Sequence, residues 1–559
     1  MNTRHWHLKT NQELRLLIGR NDNVSVTLLP DQDRSEQPQG RQQFLTRPPL
    51  SAEIFGASLC PGLQRNLARG EQTAVYTWTG CTLEVKGLES TDLCYQDQNP
   101  PMNEYLNTAA VLHRRRLDAL MTSKGGPRVL IAGSSSSGKT SLALLLCNYA
   151  VRQGWTPAYV ELDPRGGNDK LQLQFLPGTI GATLIDSVET EEVNRPLMYF
   201  FGSLHINDDY PLFKKLCSRL SAALNVRMGD DALLDMAGED EHHPHSKPVE
   251  MRAPERPPLV PDLVMRQEDG RGEPTVRDLP PREKLTYSGV ILNAPPQASR
   301  DHIRDIVRLF QVDVVLVLDD PSLRQALAQH YDSSHQHDVG GHLAALLPKP
   351  DHGGEQSPSA TRKVDVVALP KAAGVVQVTE ERMKDLRQRV VGRYYHGDPE
   401  YPLHPQVITL SSTACHFYKL DASAFSSSLL PAGQQQAMLQ EFRPSAYTGR
   451  PPDLALSFLG VTYARPGKTE DLLFANLAAL VFVQAVEAES TAEEAAAADE
   501  NVAMGDDAKA AGGGGGGAPT SWKLQLLCPA GGELPSKMFV VGQPQKLRMP
   551  TGVHPLHQL

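Results

Sequence analysis

The sequence predicts an α/β core built on a mostly parallel sheet, with a small β domain on either side. Three observations carry this reading. Between residues 128 and 369, short apolar runs of buried-strand type (129–132, 158–162, 289–292, 312–318, 364–369) alternate with helical stretches (139–152, 299–310). Residues 12–87 instead alternate apolar and polar in short runs (14–18, 24–29, 74–78, 82–85), separated by turn-rich stretches such as 30–49. Beyond residue 402 come further strand-like pieces at 406–410, 478–484 and 523–527.

The elements fall into place in order. A chain of 559 residues exceeds one ordinary hydrophobic core and suggests about three domains. Residues 1–101 form the first, a β-sandwich or barrel closed by Pro100-Pro101. A helical pattern over 103–121 then opens a central domain, 102–400, and residues 401–559 form the third. Three segments lack periodicity and read as loops or flexible inserts. They are 229–282, rich in Pro, Glu, Arg and His; 333–362; and the acidic, Ala-rich 487–520 with its Gly512–Gly517 run.

Composition narrows the function classes. A formal net charge of −10 excludes a chain coated in basic residues for nonspecific grip on nucleic acid, and leaves room for a local basic channel. The seven cysteines form no CxxC pair, so the usual zinc spacings are absent and a reducing compartment is expected. Cys81 on a strand and Cys147 on an apolar helix face read as buried structural thiols. His242, His243 and His245, and His335, His337 and His342, lie in loop-like sequence and read as solvated histidines. No apolar leader follows Met1 and no run of eighteen apolar residues occurs, so no membrane span is expected. Cytosol and nucleus remain equally open on composition.

Gly133-Ser134-Ser135-Ser136-Ser137-Gly138-Lys139-Thr140 matches the GxxxxGK[ST] phosphate loop, after a strand and before a helix. Glycines let backbone N–H groups curl around a phosphate, and the helix N-terminus adds its positive dipole end. Lys139 is positioned to reach the β- and γ-phosphates, and the Thr140 hydroxyl to ligate Mg²⁺. The core is thus expected to be an α/β P-loop NTPase with a kinase-like parallel sheet. Such a site needs an acid near the metal. Asp163 ends one strand and Asp319-Asp320 another, and spacing alone divides evenly between them; an Asp at a strand end also caps turns.

At this point the residues resemble the polyribonucleotide 5′-hydroxyl-kinase family, in particular its branch serving as ATP-binding subunit of the pre-mRNA cleavage and polyadenylation machinery. The likeness runs through Glu13-Leu14-Arg15, Ala52-Glu53-Ile54-Phe55-Gly56, Tyr76-Thr77-Trp78-Thr79-Gly80-Cys81 and Tyr105-Leu106-Asn107. It continues through the phosphate loop, Asn148-Tyr149-Ala150-Val151-Arg152, Glu161-Leu162-Asp163 and Pro177-Gly178-Thr179-Ile180-Gly181-Ala182, then residues 312–318. The resemblance implies an N-terminal β domain leaning on the nucleotide, with Glu13 on the adenine side and Gln72 where relatives often carry Lys. It implies a phosphate grip from Gly133 and from Ser136, Ser137, Gly138, Lys139, Thr140 and Ser141. It also favours Asp163 over Asp319, so that Thr140 and Asp163 are the expected metal ligands, with ATP and Mg²⁺ as cofactors.

Departures from the family pattern bear on activity. Kinase-active members follow the Asp with Val-Gly-Gln-Gly; here Pro164-Arg165-Gly166-Gly167-Asn168 follows. Active members carry a Thr-x-Gly-Trp clasp after the next strand; here Asn293-Ala294-Pro295-Pro296-Gln297 follows. Losing one base–aromatic stack costs about 1–3 kcal/mol. The basic helix around 380–393 (Arg382, Lys384, Arg387, Arg389, Arg393) corresponds to the kinase lid and reads first as a solvated face, second as charge stabilisers for phosphoryl transfer. These departures resemble fungal members thought to bind ATP without kinase activity. The resemblance therefore implies an ATP-binding structural subunit of nuclear pre-mRNA 3′-end cleavage and polyadenylation. Its expected partners are the large scaffold subunit of cleavage factor IA and other 3′-end processing proteins, with RNA contact indirect or weak. An active RNA 5′-hydroxyl kinase is the alternative. A generic GTPase stands lower, for want of an Asn-Lys-x-Asp motif.

Overall fold

A computed structural model describes residues 2–19, 22–30, 50–67, 70–88, 94–167, 175–188, 196–229, 276, 279–331, 363–398, 401–422, 442–465, 467–489 and 521–542. The histidine clusters and most of the three expected inserts lie outside these residues.

The first nine strands form two sheets. β1 (Thr3–Leu8), β3 (Val24–Leu28), β6 (Gln64–Leu67) and β8 (Cys81–Lys86) make one, in the order β1-β8-β3-β6. β2 (Gln12–Leu17), β4 (Glu53–Ile54), β5 (Ala57–Ser58), β7 (Gln72–Thr77) and β9 (Cys94–Asp97) make the other, in the order β5-β4-β7-β2-β9. Their alternating inward residues, among them Leu14, Leu16, Val24, Val26, Val75, Leu83 and Val85, meet in one core. This is the sandwich that period-two patterning predicts.

The helix α1 (Met102–Thr122) leads into a seven-stranded sheet. Its strands are β10 (Arg128–Gly133), β11 (Ala158–Glu161), β12 (Thr179–Leu184), β13 (Leu197–Phe200), β14 (Val290–Asn293), β15 (Val314–Leu318) and β16 (Asp365–Leu369), in the order β13-β12-β11-β14-β10-β15-β16. Five strands from β11 to β16 are parallel, while β12 and β13 add antiparallel to one edge. β10, β14 and β15 are buried along almost their whole length, which accounts for their continuous apolar runs. The crossovers are α2 (Lys139–Arg152), α3 (Tyr210–Met228), α4 (Pro281–Ser288), α5 (Arg300–Phe310) and α6 (Pro321–Tyr331). α5 shows why sequence finds it: Ser299 caps its N-terminus, and Ile303, Ile306, Val307 and Phe310 fall on one buried face.

Several boundaries differ from expectation. α3, α6 and the β12–β13 pair are not among the expected elements, although Leu212, Phe213, Leu216, Leu220, Leu224 and Met228 of α3 recur on one buried face. The loop expected to run to residue 282 ends earlier, because Pro281 sits in the first turn of α4, where a missing N–H costs nothing. The insert expected from 487 begins inside a strand. β23 (Leu477–Ala488) pairs antiparallel with β24 (Trp522–Cys528) as far as Ala488 opposite Trp522, so the intervening segment joins two paired strand ends.

α7 (Glu380–His396) closes the central domain, and after a two-stranded ribbon of β17 (Gly397–Asp398) and β18 (Tyr401–Pro402) the chain enters a mainly β sheet. That sheet adds β19 (Gln406–Ser411), β20 (His416–Ala422), β21 (Phe442–Ala446), β22 (Phe458–Thr462) and β25 (Met538–Val541), in the order β19-β24-β23-β22-β25-β20-β21. It docks on α7: the buried Tyr395 hydroxyl donates to the Leu480 carbonyl at 2.8 Å, and the Leu480 N–H donates to Tyr394 at 3.0 Å.

Two segments that carry the family resemblance touch each other. Glu53, in the N-terminal sandwich, accepts from the Tyr149 hydroxyl and from Arg152 Nη1 at 2.8 Å, and Asn148 Nδ2 donates to the Phe55 carbonyl at 2.8 Å. α2 is thus clamped to the sandwich on one side and carries the phosphate loop at its N-terminus. Among the described residues no helix is long and apolar enough to cross a membrane. Cys81 and Cys147 are buried free thiols, pushed up to about 11 and about 12 by burial.

Candidate functional site

The loop between β10 and α2 closes tightly. Gly133 has φ +142° and Gly138 φ +93°, and the Gly133 backbone lies against the Leu318 carbonyl where a Cβ would collide. Ser136 also takes a left-handed φ of +54°, and its Oγ accepts from the Val378 N–H at 3.0 Å. Ser137, almost fully buried, bonds back to the Ser134 carbonyl at 3.0 Å. Lys139 folds into the loop, donating to the Gly133 and Ser134 carbonyls at 3.0 and 2.7 Å. Burial pushes its ammonium down to about 8; Asp163 and Glu161 oppose that fall and Arg165 adds to it.

These residues open onto one cavity. It is lined by Gln72, by residues 135–141 and by Asp163, all but Ser135 expected from sequence, together with Glu161, Arg165, Asn293, Val375, Val376, Val378, Arg382 and Met383. Glu161 and Arg165 flank Asp163, while Asn293, Val375, Val376, Val378, Arg382 and Met383 come from far along the chain. Parallel pairing places Glu161 opposite Asn293, so two adjacent strands end side by side under the loop. Asn293 Nδ2 donates to both Glu161 oxygens at 3.0 and 3.1 Å and to Thr140 Oγ1 at 3.3 Å. Tyr159 donates to Glu161 Oε2 at 2.6 Å, and the Asp163 N–H to Oε1 at 3.0 Å. Burial, with Asp163 nearby, raises the Glu161 carboxyl to about 7 against these bonds.

Two expected residues stand apart. Glu13 is buried on β2 and ion-paired with Arg15, which also reaches Asp97 at 3.3 Å; it does not line the cavity. Arg15 in turn packs against Gly374 in the segment 370–379, which crosses the phosphate loop as a strap. Gly133 lines a neighbouring cleft with Ser134, Pro295, Pro296, Arg300 and Asp320. The sheet topology separates the two acids that spacing left tied. Asp163 faces the cavity, whereas Asp320 caps α6 through the Leu323 N–H at 2.9 Å and Asp319 pairs with Lys371 at 3.3 Å.

The basic helix is not a solvated face. α7 buries Met383, Leu386, Val390, Val391 and Tyr395, and Met383 and Leu386 reach the cavity wall. Arg382 bonds the Gly70 carbonyl in the sandwich, and Arg387 pairs with Glu380 at 2.8 Å. The helix is amphipathic, and its apolar face is drawn into the core, leaving its arginines at the seam.

A loop of backbone N–H groups at a helix N-terminus, with a lysine inside it, is a cradle for phosphate. Joined to a parallel sheet and an N-terminal β-sandwich, it defines a P-loop nucleotide-binding protein. Comparison narrows the class. Residues 133–234 match the family described as mRNA cleavage and polyadenylation factor CLP1 P-loop, and residues 7–119 match the N-terminal beta-sandwich domain of polyadenylation factor. Models of the CLP1 family thus match both the N-terminal sandwich and the phosphate-loop region. The chain is 27% identical over 446 residues to the polyribonucleotide 5′-hydroxyl-kinase Clp1 of Xenopus laevis, covering 78% of this chain and 81% of the relative. It is 27% identical over 454 residues to the mRNA cleavage and polyadenylation factor clp1 of Botryotinia fuckeliana, covering 78% and 81%. Among solved structures, Clp1p in its wild-type complex with a Pcf11p segment superposes with TM-score 0.61 at 16% identity over 97% of both chains. A second Clp1p structure, described as showing an extended interface with Pcf11p and the basis of ATP loss in a point mutant, gives 0.62 at 16% identity over 97% and 98%.

Proposed function

We propose that this chain is the ATP-binding structural subunit of the nuclear machinery that cleaves and polyadenylates pre-mRNA 3′ ends, holding ATP without spending it. The observation that carries this reading is an imbalance within the site. The donor side is complete: the loop 135–141, with Lys139 and Thr140, surrounds the phosphate position. The acceptor side is closed. Asp163, the acid beside the phosphates, is tied up by Arg165, and Pro164 and Gly166 lock the turn that follows it, with the Pro164 carbonyl accepting from Gly178 at 2.8 Å. Among the described residues, the cleft beyond β14 is lined by Pro295 and Pro296 without an aromatic ring, and Phe175, which lines the phosphate cavity, is buried against Tyr159. Phosphoryl transfer depends on positioning donor and acceptor together, so a bound donor without a positioned acceptor remains bound.

In this reading the loop amides and Lys139 bind the β- and γ-phosphates, Gln72 and the strap 375–378 wall the nucleotide, and Arg382 ties α7 to the sandwich across it. ATP then acts as a rivet between the two domains, adding roughly 2.7 kcal/mol to the native state at a hundred times its dissociation constant. Of the expected Mg²⁺ ligands, Thr140 fits, its hydroxyl facing the cavity; Asp163 does not, because Arg165 engages both its oxygens. The Clp1p relatives solved with Pcf11p support a partner of that scaffold type, and the 3′-end processing role supports a nuclear site.

The name borne by the Xenopus relative keeps the kinase reading as a second outcome. The test is to purify the protein, denature it, identify the released nucleotide, and assay label transfer from ATP to a 5′-hydroxyl RNA. Co-purified ATP without transfer supports the structural role. Robust transfer abolished by Lys139→Met overturns it in favour of the enzyme.

A further inference from the structure

The contacts of Arg165 have a consequence for the metal. Asp163 follows β11 directly, and the turn 164–166 bends the next side chain back onto it. Gly166 makes that bend possible at φ +60°, with its ideal Cβ position 2.5 Å from the Pro177 nitrogen, so the turn admits no larger residue and no slack. Arg165 then donates from Nε to Asp163 Oδ1 and Oδ2, each at 3.0 Å, and from Nη2 to Oδ2 at 2.7 Å; its backbone N–H adds a bond to Oδ1 at 3.2 Å. A carboxylate has about four lone-pair directions. Three N–H groups, one of them shared between the two oxygens, occupy most of these, and both side chains are largely shielded, at 17% and 18% exposure. A forked, charge-assisted pair of this kind is among the stronger side-chain interactions and loses little to salt when screened from water.

No other carboxylate at this end of the described sheet replaces Asp163. Both Glu161 oxygens are bonded, to Tyr159, Asn293 and the Asp163 N–H. Asp319 pairs with Lys371, and Asp320 caps α6. The positive charge that a divalent cation brings to such a site is already supplied by the chain, from Lys139, Arg165 and Arg382 around one cavity.

We propose that Arg165 is the protein's own counter-cation for Asp163, standing where a divalent cation would engage that acid, so that nucleoside triphosphate binds here with little dependence on Mg²⁺. This rests on the nucleotide-binding reading of the cavity. The guanidinium screens Asp163 from the phosphates, a repulsion that the metal otherwise relieves. Arg165 is therefore a positioning and specificity residue, and its loss re-creates a metal requirement.

The experiment titrates ATP onto nucleotide-stripped full-length protein by calorimetry, once with excess Mg²⁺ and once with EDTA, for wild type, Arg165→Gln, Arg165→Lys and Lys139→Met. The expected result is a wild-type affinity that changes by no more than about threefold between the two conditions. In Arg165→Gln, affinity in EDTA drops by about tenfold or more and Mg²⁺ restores it; Arg165→Lys, with charge but no fork, falls between. Mn²⁺ paramagnetic resonance gives a second readout: Arg165→Gln with ATP holds Mn²⁺ more tightly than wild type with ATP. If wild type itself needs Mg²⁺ by tenfold or more, the proposal fails, whether or not the variants fold, while nucleotide binding stands. Wild type that binds no ATP in either condition overturns the nucleotide reading and this proposal together.

Discussion

Replacing Lys139 by Met removes one ammonium from the centre of the phosphate loop and leaves an apolar chain of similar length. In the free protein that ammonium donates to the Gly133 and Ser134 carbonyls, so it is held close to where a phosphate would sit. A lost hydrogen bond to a charged group is worth about 1.5–3 kcal/mol, which corresponds to roughly 10- to 150-fold in dissociation constant. The same residue adds a pH signature. Its ammonium titrates near 8 in the folded protein, lowered first by burial, so the free site is charged below that pH and loses charge above it. At one unit above, about one-tenth of the molecules carry the charge, and the apparent affinity for ATP weakens about tenfold relative to pH 7. The assay is calorimetric titration of stripped protein with ATP at pH 7 and pH 9, with Lys139→Met as the control that removes the titrating group. Wild type is expected to weaken with pH and the variant to stay flat. A variant within threefold of wild type at pH 7, or a variant that follows wild type downward at pH 9, refutes the assignment of Lys139 to the phosphates.

Glu161→Gln is expected to stabilise the free protein at pH 8 more than at pH 5. The carboxyl is raised from its ordinary 4.5 to about 7, so between those values the native state keeps a proton that the unfolded chain has released; its stability falls as pH rises through that window, by roughly 3 kcal/mol at full burial. Melting temperatures of the two proteins that run parallel across pH 5–8 would contradict this. Exchanging residues 230–275 for a short Gly/Ser linker is expected to leave melting unchanged, because loop-closure cost grows slowly with length and α3 and α4 are held together independently, Thr286 Oγ1 donating to the Met228 carbonyl. Extending the same deletion through Arg282 is expected to lower it, since Leu279 is buried and Pro281 starts α4.

What the sequence determined on its own is whatever depends on neighbours along the chain. The loop 133–140 is contiguous, and its glycines, lysine and threonine declare their geometry through local backbone demands, so the phosphate cradle was legible before any fold. β10, β15 and α5 were legible for the same reason, each carrying a clean period or a continuous apolar run. α3 carries an equally clear stripe, Leu212, Leu216, Leu220, Leu224 and Met228 recurring every fourth residue, yet is absent from the expected elements, whereas α6 buries only Leu323 and Leu327 and offers little period to read.

Tertiary structure decided which residues share the cavity. Asp163 and Asp319 both end parallel strands in acid, and only the strand order β11-β14-β10-β15 separates them: one faces the loop, and the other turns toward Lys371. Glu161 and Asn293 lie 132 positions apart and meet because two strands align in register. Val378 reaches the loop, and Arg382 the cavity wall, from still further along. Arg165 is the sharpest case. In the sequence it is one residue of an unusual Asp-Pro-Arg-Gly-Gly run, and its chemistry appears only when Gly166 turns left-handed and folds the guanidinium onto the carboxylate two residues before it. Side-chain direction is set by backbone dihedrals and packing, which sequence spacing does not encode.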